Sequence, residues 1–391
     1  MTVIIGIDPH KASHTAVAIG CDERQLAEVR VRATCRQTAQ LLAWAEPLGE
    51  RTWAVESAGG LGYLLSQQLV GAGERVLDVP ATLASRVRVL GTGRSNKNDP
   101  NDAPSVAIAA LRSPGLRSVE PANHREVLRL LAKRNHEIGR LRNMVVSRLH
   151  AGLANLSPGG ISKELNASDA VRLLGDFDPV TPVQQTRYDL ALDLLDDVRR
   201  LDVQLKESHK RIKTAVRASG TSLTELYGVG PILACELIGY TGDVRRFATR
   251  GQFASYAGVA PIELSSGGRI VHRLTRRGNR QLNHAIHMVA IGQIRQKESE
   301  GRVYFERKVA EGKTKREAIR SLKRHVSNAV FLASSSSIPR SRGPGGRAGT
   351  TRSLRDRLCT LAAGSSAKSL PDPPNLRQSR PSTAPWFVAP E

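Results

Sequence analysis

The first twenty residues limit the fold more than any other stretch. Val3-Ile4-Ile5-Gly6-Ile7-Asp8-Pro9-His10-Lys11 leads into Thr15-Ala16-Val17-Ala18-Ile19. Two short apolar runs, bounded by Gly, Pro and polar residues, read as buried strands joined by a polar turn. Asp8 stands at the end of the first. A buried charge is costly unless a cation or water meets it. Alone, Asp8 reads as a turn aspartate starting a hairpin. With partner carboxylates further along, it reads as a metal ligand on the central strand of a nuclease-like fold.

Residues 1–113 continue in α/β style. Ala39–Ala45 suits a helix, Arg51–Glu56 a strand, Leu61–Val70 a helix, and Glu74–Val79 a third buried strand closed by Pro80. Strands alternating with helices predict a largely parallel sheet with helices packed on it. Glu56 repeats the logic of Asp8, an acid at the carboxyl end of an apolar strand, followed by Ser57-Ala58-Gly59-Gly60. Ligand sites in open α/β sheets lie outside such strand ends. In Asn98-Asp99-Pro100-Asn101-Asp102, Asp99 suits an N-cap and Pro100 the first helical position, with Asp102 in the first turn on about the same side. Each acid alone has a plain structural reading, as a helix cap or a turn.

Residues 114–220 change to long charged helical stretches, His124–Leu153 and Tyr188–Val216, which suit a helical hairpin, a coiled-coil dimer arm or a plain bundle. In residues 221–330, Leu223–Ala234 has a helix, a Gly228-Val229-Gly230 turn and a second helix, the pattern of a helix-hairpin-helix. Such glycines let backbone N–H groups approach a phosphate without reading bases. Arg269, His272, Arg273, Arg276, Arg277 and Arg280 then crowd together, and a basic helix is expected over Arg302–Arg324. Residues 331–391, rich in Ser, Pro, Gly and Arg, read as a disordered basic tail.

The charge balance agrees with a nucleic-acid partner. There are 58 Lys and Arg against 36 Asp and Glu, a net charge of +22. No apolar run approaches the roughly 20 residues of a spanning helix, which argues against a membrane partner. Cys21, Cys35, Cys235 and Cys359 form no C-x-x-C pair and read as reduced thiols of a cytoplasmic protein. Aromatic residues make up 4%, too few for a base-stacking platform. If Asp8, Glu56, Asp99 and Asp102 converge, their mutual repulsion calls for hard divalent cations, and magnesium prefers carboxylate oxygens and retained waters. Two such ions about 4 Å apart clamp an in-line phosphodiester displacement.

The ordered set I-I-G-I-D-P-H-K, A-V-E-S-A-G-G and N-K-N-D-P-N-D-A resembles the DEDD motif of insertion-sequence transposases related to the Piv invertase. Their N-terminal domain is similar to the RuvC resolvase, an RNase H-like fold. The G-V-G-P hairpin, Y-A-G-V-A-P, S-S-G-G-R and T-R-R-G-N-R-Q-L resemble the same family's C-terminal domain, so the likeness spans roughly residues 1–330. It implies a transposase that cuts and rejoins donor and target DNA with magnesium bound by Asp8, Glu56, Asp99 and Asp102. It also implies a guide RNA bridging the two DNAs, and assembly as a homodimer or homotetramer through the helical middle. The family's catalytic serine falls on Ser266, with Ser265 beside it. Asn279 and Asn283 stand where relatives often carry Arg. The nucleic-acid contacts expected are Gly228, Gly230, Arg269, Arg273, Arg276, Arg277 and Arg280. Two other readings keep some of these features: a metal-dependent, structure-specific nuclease of the Holliday-junction-resolvase kind, and an inactive nucleic-acid-binding relative.

Overall fold

The computed structural model describes residues 3–92, 102–157, 167–266, 269–274 and 278–336. The chain forms two compact units that part between Ala215 and Val216. The sheet region and the helical stretch after it therefore fall in one unit.

The first unit is built on a six-stranded sheet: β1 (Val3–Pro9), β2 (Ser13–Ile19), β3 (Gln25–Arg32), β4 (Arg51–Glu56), β5 (Val76–Val79) and β6 (Arg117–Ser118), in the order β3-β2-β1-β4-β5-β6. The expectation of a largely parallel sheet needs correcting. Only β1–β4 and β4–β5 are parallel; β1–β2, β2–β3 and β5–β6 are antiparallel. The reason is connection length. His10 N–H donates to the Ser13 carbonyl at 2.9 Å across a tight turn that only an antiparallel pair can use. Parallel neighbours need long crossovers, and α1 (Gln37–Ala45) and α2 (Tyr63–Gly71) supply them. β3 was not expected from the sequence; its alternating Glu28, Arg30 and Arg32 suit a solvated edge. An antiparallel meander joined through β1 to parallel strands makes this a mixed sheet, with a helical remainder.

Strand alternation gives the sheet two cores. Val3, Ile5, Ile7, Trp53 and Val55 pack with Leu41, Leu65 and Leu69 of α1 and α2. Ile4, Val17 and Ala54 pack on the opposite face, with Ala84 of α3 (Ala81–Thr92) and with Ala103, Val106 and Ala107 of α4 (Asp102–Arg112). Gly6 lets α4 approach. A Cβ there would sit 2.3 Å from the Ala103 carbonyl oxygen and 2.5 Å from the Ala107 amide nitrogen, and backbone atoms cannot yield that far.

The helices α5 (His124–Ala154, 31 residues) and α7 (Pro182–Ala218, 37 residues) run antiparallel. Asn135 meets Ser208 and Arg142 pairs with Asp202 along their shared face. A short helix, α6 (Ala167–Gly175), joins their core through Ala170 and Leu174; the sequence reading had not identified it. Val127, Leu130, Leu141 and Met144 of α5 remain exposed on the outer side, as do Val183, Leu190 and Val203 of α7.

In the second unit, the expected helix before Gly228 is a single 3-10 turn, Leu223–Glu225. It is followed by α8 (Pro231–Thr241), α9 (Arg250–Tyr256), a hairpin of β7 (Pro261–Ser266) and β8 (Arg269–Leu274), and α10 (Arg280–Arg295). The basic helix expected over Arg302–Arg324 is two helices, α11 (Glu300–Ala310) and α12 (Lys315–Ser336). Gly312 turns the chain at φ +90°, and Thr314 and Glu317 cap α12 reciprocally, a capping box legible as T-K-R-E. α12 continues past residue 330, and the expected disordered tail lies outside the described residues from 337 onward.

Candidate active site

Asp8 and Glu56 end adjacent parallel strands. Ile7 pairs with Val55, so the next residues, Asp8 and Glu56, stand abreast. Alternation puts both on the face of Ile4, Gly6 and Ala54, the face that α4 covers. Asp102 is the first residue of α4, beside the Ala103 backbone that rests on Gly6. One face thus gathers Asp8, 6% exposed, Asp102, 1% exposed, and the half-buried Glu56. Asp99 lies outside the described residues, so its expected place as N-cap is not part of this geometry.

The two buried carboxylates have partners that the sequence reading did not assign. His10 Nε2 lies 3.0 Å from Asp8 Oδ2, and Arg88 Nε lies 2.7 Å from Asp102 Oδ1. His10 was visible in the I-D-P-H motif. Arg88 sits on α3, a helix the strand-and-turn signals had not revealed. The loop after Glu56 is tightly held. Ser57 takes a left-handed φ of +51°, its amide donates to the Val79 carbonyl at 2.9 Å, and Ala58 N–H donates to Asp78 Oδ1 at 2.9 Å. Arg117 in turn reaches Asp78 at 3.6 Å. Among the described residues no three His, Cys, Asp or Glu side chains come together tightly enough to hold an ion. The donor chemistry still suits a hard divalent cation. Asp8, Glu56 and Asp102 offer only carboxylate oxygens; Asp8 lies against the His10 imidazole and Asp102 is ion-paired with the Arg88 guanidinium, which an arriving cation would have to displace.

The serine region of the second unit forms a hairpin, not an open loop. Ser266 is the last residue of β7 and pairs with Arg269, the first of β8; Ser265 pairs with Ile270, and Ile262 with Arg273. By strand alternation the positions 266, 269 and 273 share one face of the ribbon, and 265 falls on the other. Arg276 and Arg277 lie outside the described residues, and Arg280 is the exposed first residue of α10. In the glycine turn, Gly228 has φ +83°, and a Cβ there would press on the Val289 carbonyl oxygen at 3.2 Å. Gly228 therefore serves packing against α10. Gly230 is the N-cap of α8, with Pro231 at the first helical position and open space around it.

Glu236, also on α8, is 8% exposed, and burial pushes its carboxyl up to about 7. The folded state then holds this proton more tightly than the unfolded chain, whose value is 4.5. The associated stability is full below pH 4.5 and falls as pH rises to about 7. Glu236→Gln is expected to abolish that slope and to stabilise the protein at pH 8 by roughly 2–3 kcal/mol. Thermal unfolding midpoints measured from pH 4 to pH 8 check this.

Comparison with known proteins gives the chain its relatives. Residues 5–158 match the DEDD transposase family of IS110 elements, and residues 220–306 match the transposase IS116/IS110/IS902 family. A protein of insertion element IS116 from Streptomyces clavuligerus, named as uncharacterized, is 26% identical over 82% of this chain and 91% of its own length. One of insertion element IS900 from Mycobacterium paratuberculosis, also named as uncharacterized, is 26% identical over 83% and 94%. The transposase for insertion sequence element IS1328 of Yersinia enterocolitica is 25% identical over 86% and 94%. Among solved structures, Thermus thermophilus RuvC is matched over 30% of this chain and 99% of its own, at 15% identity and a TM-score of 0.24. No helix among the described residues is long and apolar enough to cross a membrane. With both domains matched in order over more than half its length, and relatives aligned nearly end to end, the chain belongs to the IS110/IS116/IS902 family of DEDD transposases, enzymes that act on DNA.

Proposed function

We propose that this transposase cuts and rejoins DNA strands with a metal-binding acid set in its first unit and a serine nucleophile in its second. The observation that carries the reading is the shared face of Asp8, Glu56 and the start of α4. Asp99 completes the set from outside the described residues. When magnesium is bound there, it supplies charge neutralisation at the phosphodiester. Asp8 and Asp102 supply buried oxygen ligands on rigid elements, and the Asp78-supported loop holds Glu56 in place.

Ser266 is the nucleophile in this reading. Its hydroxyl oxygen forms a bond to phosphorus, one P–O ester bond breaks, and the serine proton ends on the leaving DNA hydroxyl. Rejoining reverses the step: a DNA hydroxyl attacks the phosphoserine and restores the serine. The bond energy is conserved, so no co-reactant is required. The position of Ser266 at the hairpin tip, across from Arg269 and on the face of Arg273, favours it over Ser265. Arg269, Arg273, Arg276, Arg277 and Arg280 contact phosphates, and Gly230 offers the N-terminus of α8 to the backbone. Gly228 shapes that helix-hairpin-helix-like turn. The outer apolar stripe of α5 and α7 docks a second copy in a coiled-coil manner, giving a dimer or tetramer.

A guide RNA that bridges donor and target DNA completes the proposal; the net charge of +22 suits a protein that holds two kinds of polyanion. Sequencing the RNA that copurifies with the protein tests it. A discrete RNA encoded beside this gene is expected; random cellular RNA alone would remove the guide from the account.

A further inference from the structure

The hairpin that carries Ser266 is anchored at its base by a network that reaches a lysine far away in sequence. Its two feet meet where Gly258, at φ +65°, lies against Gly278. A Cβ on Gly278 would sit 2.4 Å from Gly258 Cα and 2.5 Å from its amide nitrogen, so the backbones are in direct contact. Asn279 ties the second foot to the first: its amide donates to the Tyr256 carbonyl at 2.7 Å, and its Nδ2 donates to the Tyr256 hydroxyl at 3.1 Å. Asn279 also caps α10, its Oδ1 accepting from Leu282 N–H at 3.0 Å. One turn on, Asn283 Nδ2 donates to the carbonyls of Ala257 and Gly258, both at 2.9 Å. These two asparagines, which stood out in the sequence only as departures from relatives, fasten the first foot to the second.

The orientation of Asn283 has its own support. Lys323 Nζ on α12 donates to Asn283 Oδ1 at 2.7 Å, which fixes the amide so that its NH2 faces the two carbonyls. A flipped amide would point NH2 at the ammonium and oxygen at the carbonyls, an arrangement repulsive on both sides. Burial pushes the Lys323 ammonium down from its usual value, so its charge is held there at a cost to solvation. A solvent-facing lysine would serve α12 equally well as a helix residue.

We propose that Lys323 is a positioning residue for the serine hairpin: through Asn283 it fixes the base of β7 and β8, and so the place of Ser266 at the tip. The catalytic part of this proposal rests on the reading of Ser266 as nucleophile; the mechanical part does not. Nothing in it requires Lys323 to touch DNA.

The test uses the full-length protein with Lys323→Met, Lys323→Arg and Ser266→Ala. Three quantities are read: amide hydrogen exchange of residues 261–274 against α10 and α12, the rate of covalent adduct formation on a nicked DNA substrate, and the dissociation constant for DNA. Lys323→Met is expected to speed hairpin exchange and slow adduct formation by about 10- to 100-fold, the effect of losing one charge-assisted hydrogen bond. Exchange in α10 and α12 and the DNA dissociation constant should stay put, and Lys323→Arg should restore most of both losses. Unchanged hairpin exchange in Lys323→Met overturns the proposal. Faster exchange spread evenly through α10 and α12 overturns it too, because the lysine would then be a general stabiliser. A hairpin that loosens as expected, in a protein whose unmutated form makes no adduct, supports the clamp and counts against the serine.

Discussion

Asp8→Asn is expected to lower DNA strand cleavage by roughly a hundredfold to a thousandfold, the scale on which removing one preorganised charge-stabilising group acts. The substitution keeps the shape of the side chain and removes its charge. Asp8 is 6% exposed and faces the α4 side of the sheet abreast of Glu56. DNA binding should hold or tighten slightly, because one negative charge leaves a surface that approaches phosphates. The fold should survive, because Asn still presents an oxygen to His10 Nε2, now 3.0 Å from the carboxylate. Cleavage of end-labelled DNA across a magnesium titration, with a binding assay alongside, separates these effects. Near-normal cleavage at every magnesium concentration would remove Asp8 from the site.

The second large effect belongs to Ser266→Ala. It should abolish the covalent protein–DNA adduct and lower strand joining by at least about 10^4-fold, as removal of a nucleophile does. Ser265→Ala should keep most activity, since position 265 pairs with Ile270 and falls on the other face of the ribbon. Both variants should bind DNA like the parent protein. The pattern separates the two serines and also separates recombination from simple hydrolysis. A nuclease that uses activated water would be indifferent to Ser266→Ala while remaining sensitive to Asp8→Asn.

Much of the first unit was legible because its signals are local. β4 spans Arg51–Glu56 as its composition indicates, and α5 and α7 follow the long charged stretches with helical spacing. The sheet's hand of pairing was not legible, since it depends on which strands neighbour each other in space. β3 was overlooked because Glu28, Arg30 and Arg32 dilute its apolar alternation, the usual dress of an edge strand. α3 was overlooked as well, and with it Arg88, the partner of Asp102. That contact joins residues on two helices, and no spacing rule reaches it.

In the second unit, the turn at Gly228 and the start of α8 followed from the glycines and Pro231. The element before them shrank to one 3-10 turn. The serine segment reads locally as a flexible Ser-Ser-Gly-Gly loop, yet its flanks pair from Pro261 with Leu274 to Ser266 with Arg269. Two short strands around a glycine pair give little periodicity to detect. The break between α11 and α12 was legible in principle, because Gly312 and the Thr314–Glu317 capping box mark it. The roles of Asn279 and Asn283 depend on a backbone contact between Gly258 and Gly278 that only the folded chain creates.

The most direct test of the central claim is to react the full-length protein with a DNA substrate and magnesium, quench with denaturant, digest, and map the peptide that retains DNA. The account predicts a phosphodiester-linked nucleotide on the peptide containing Ser266, absent when Asp8 is Asn or when magnesium is chelated. Cut DNA with no nucleotide attached to any peptide would contradict it, leaving a metal-dependent nuclease in place of a serine recombinase.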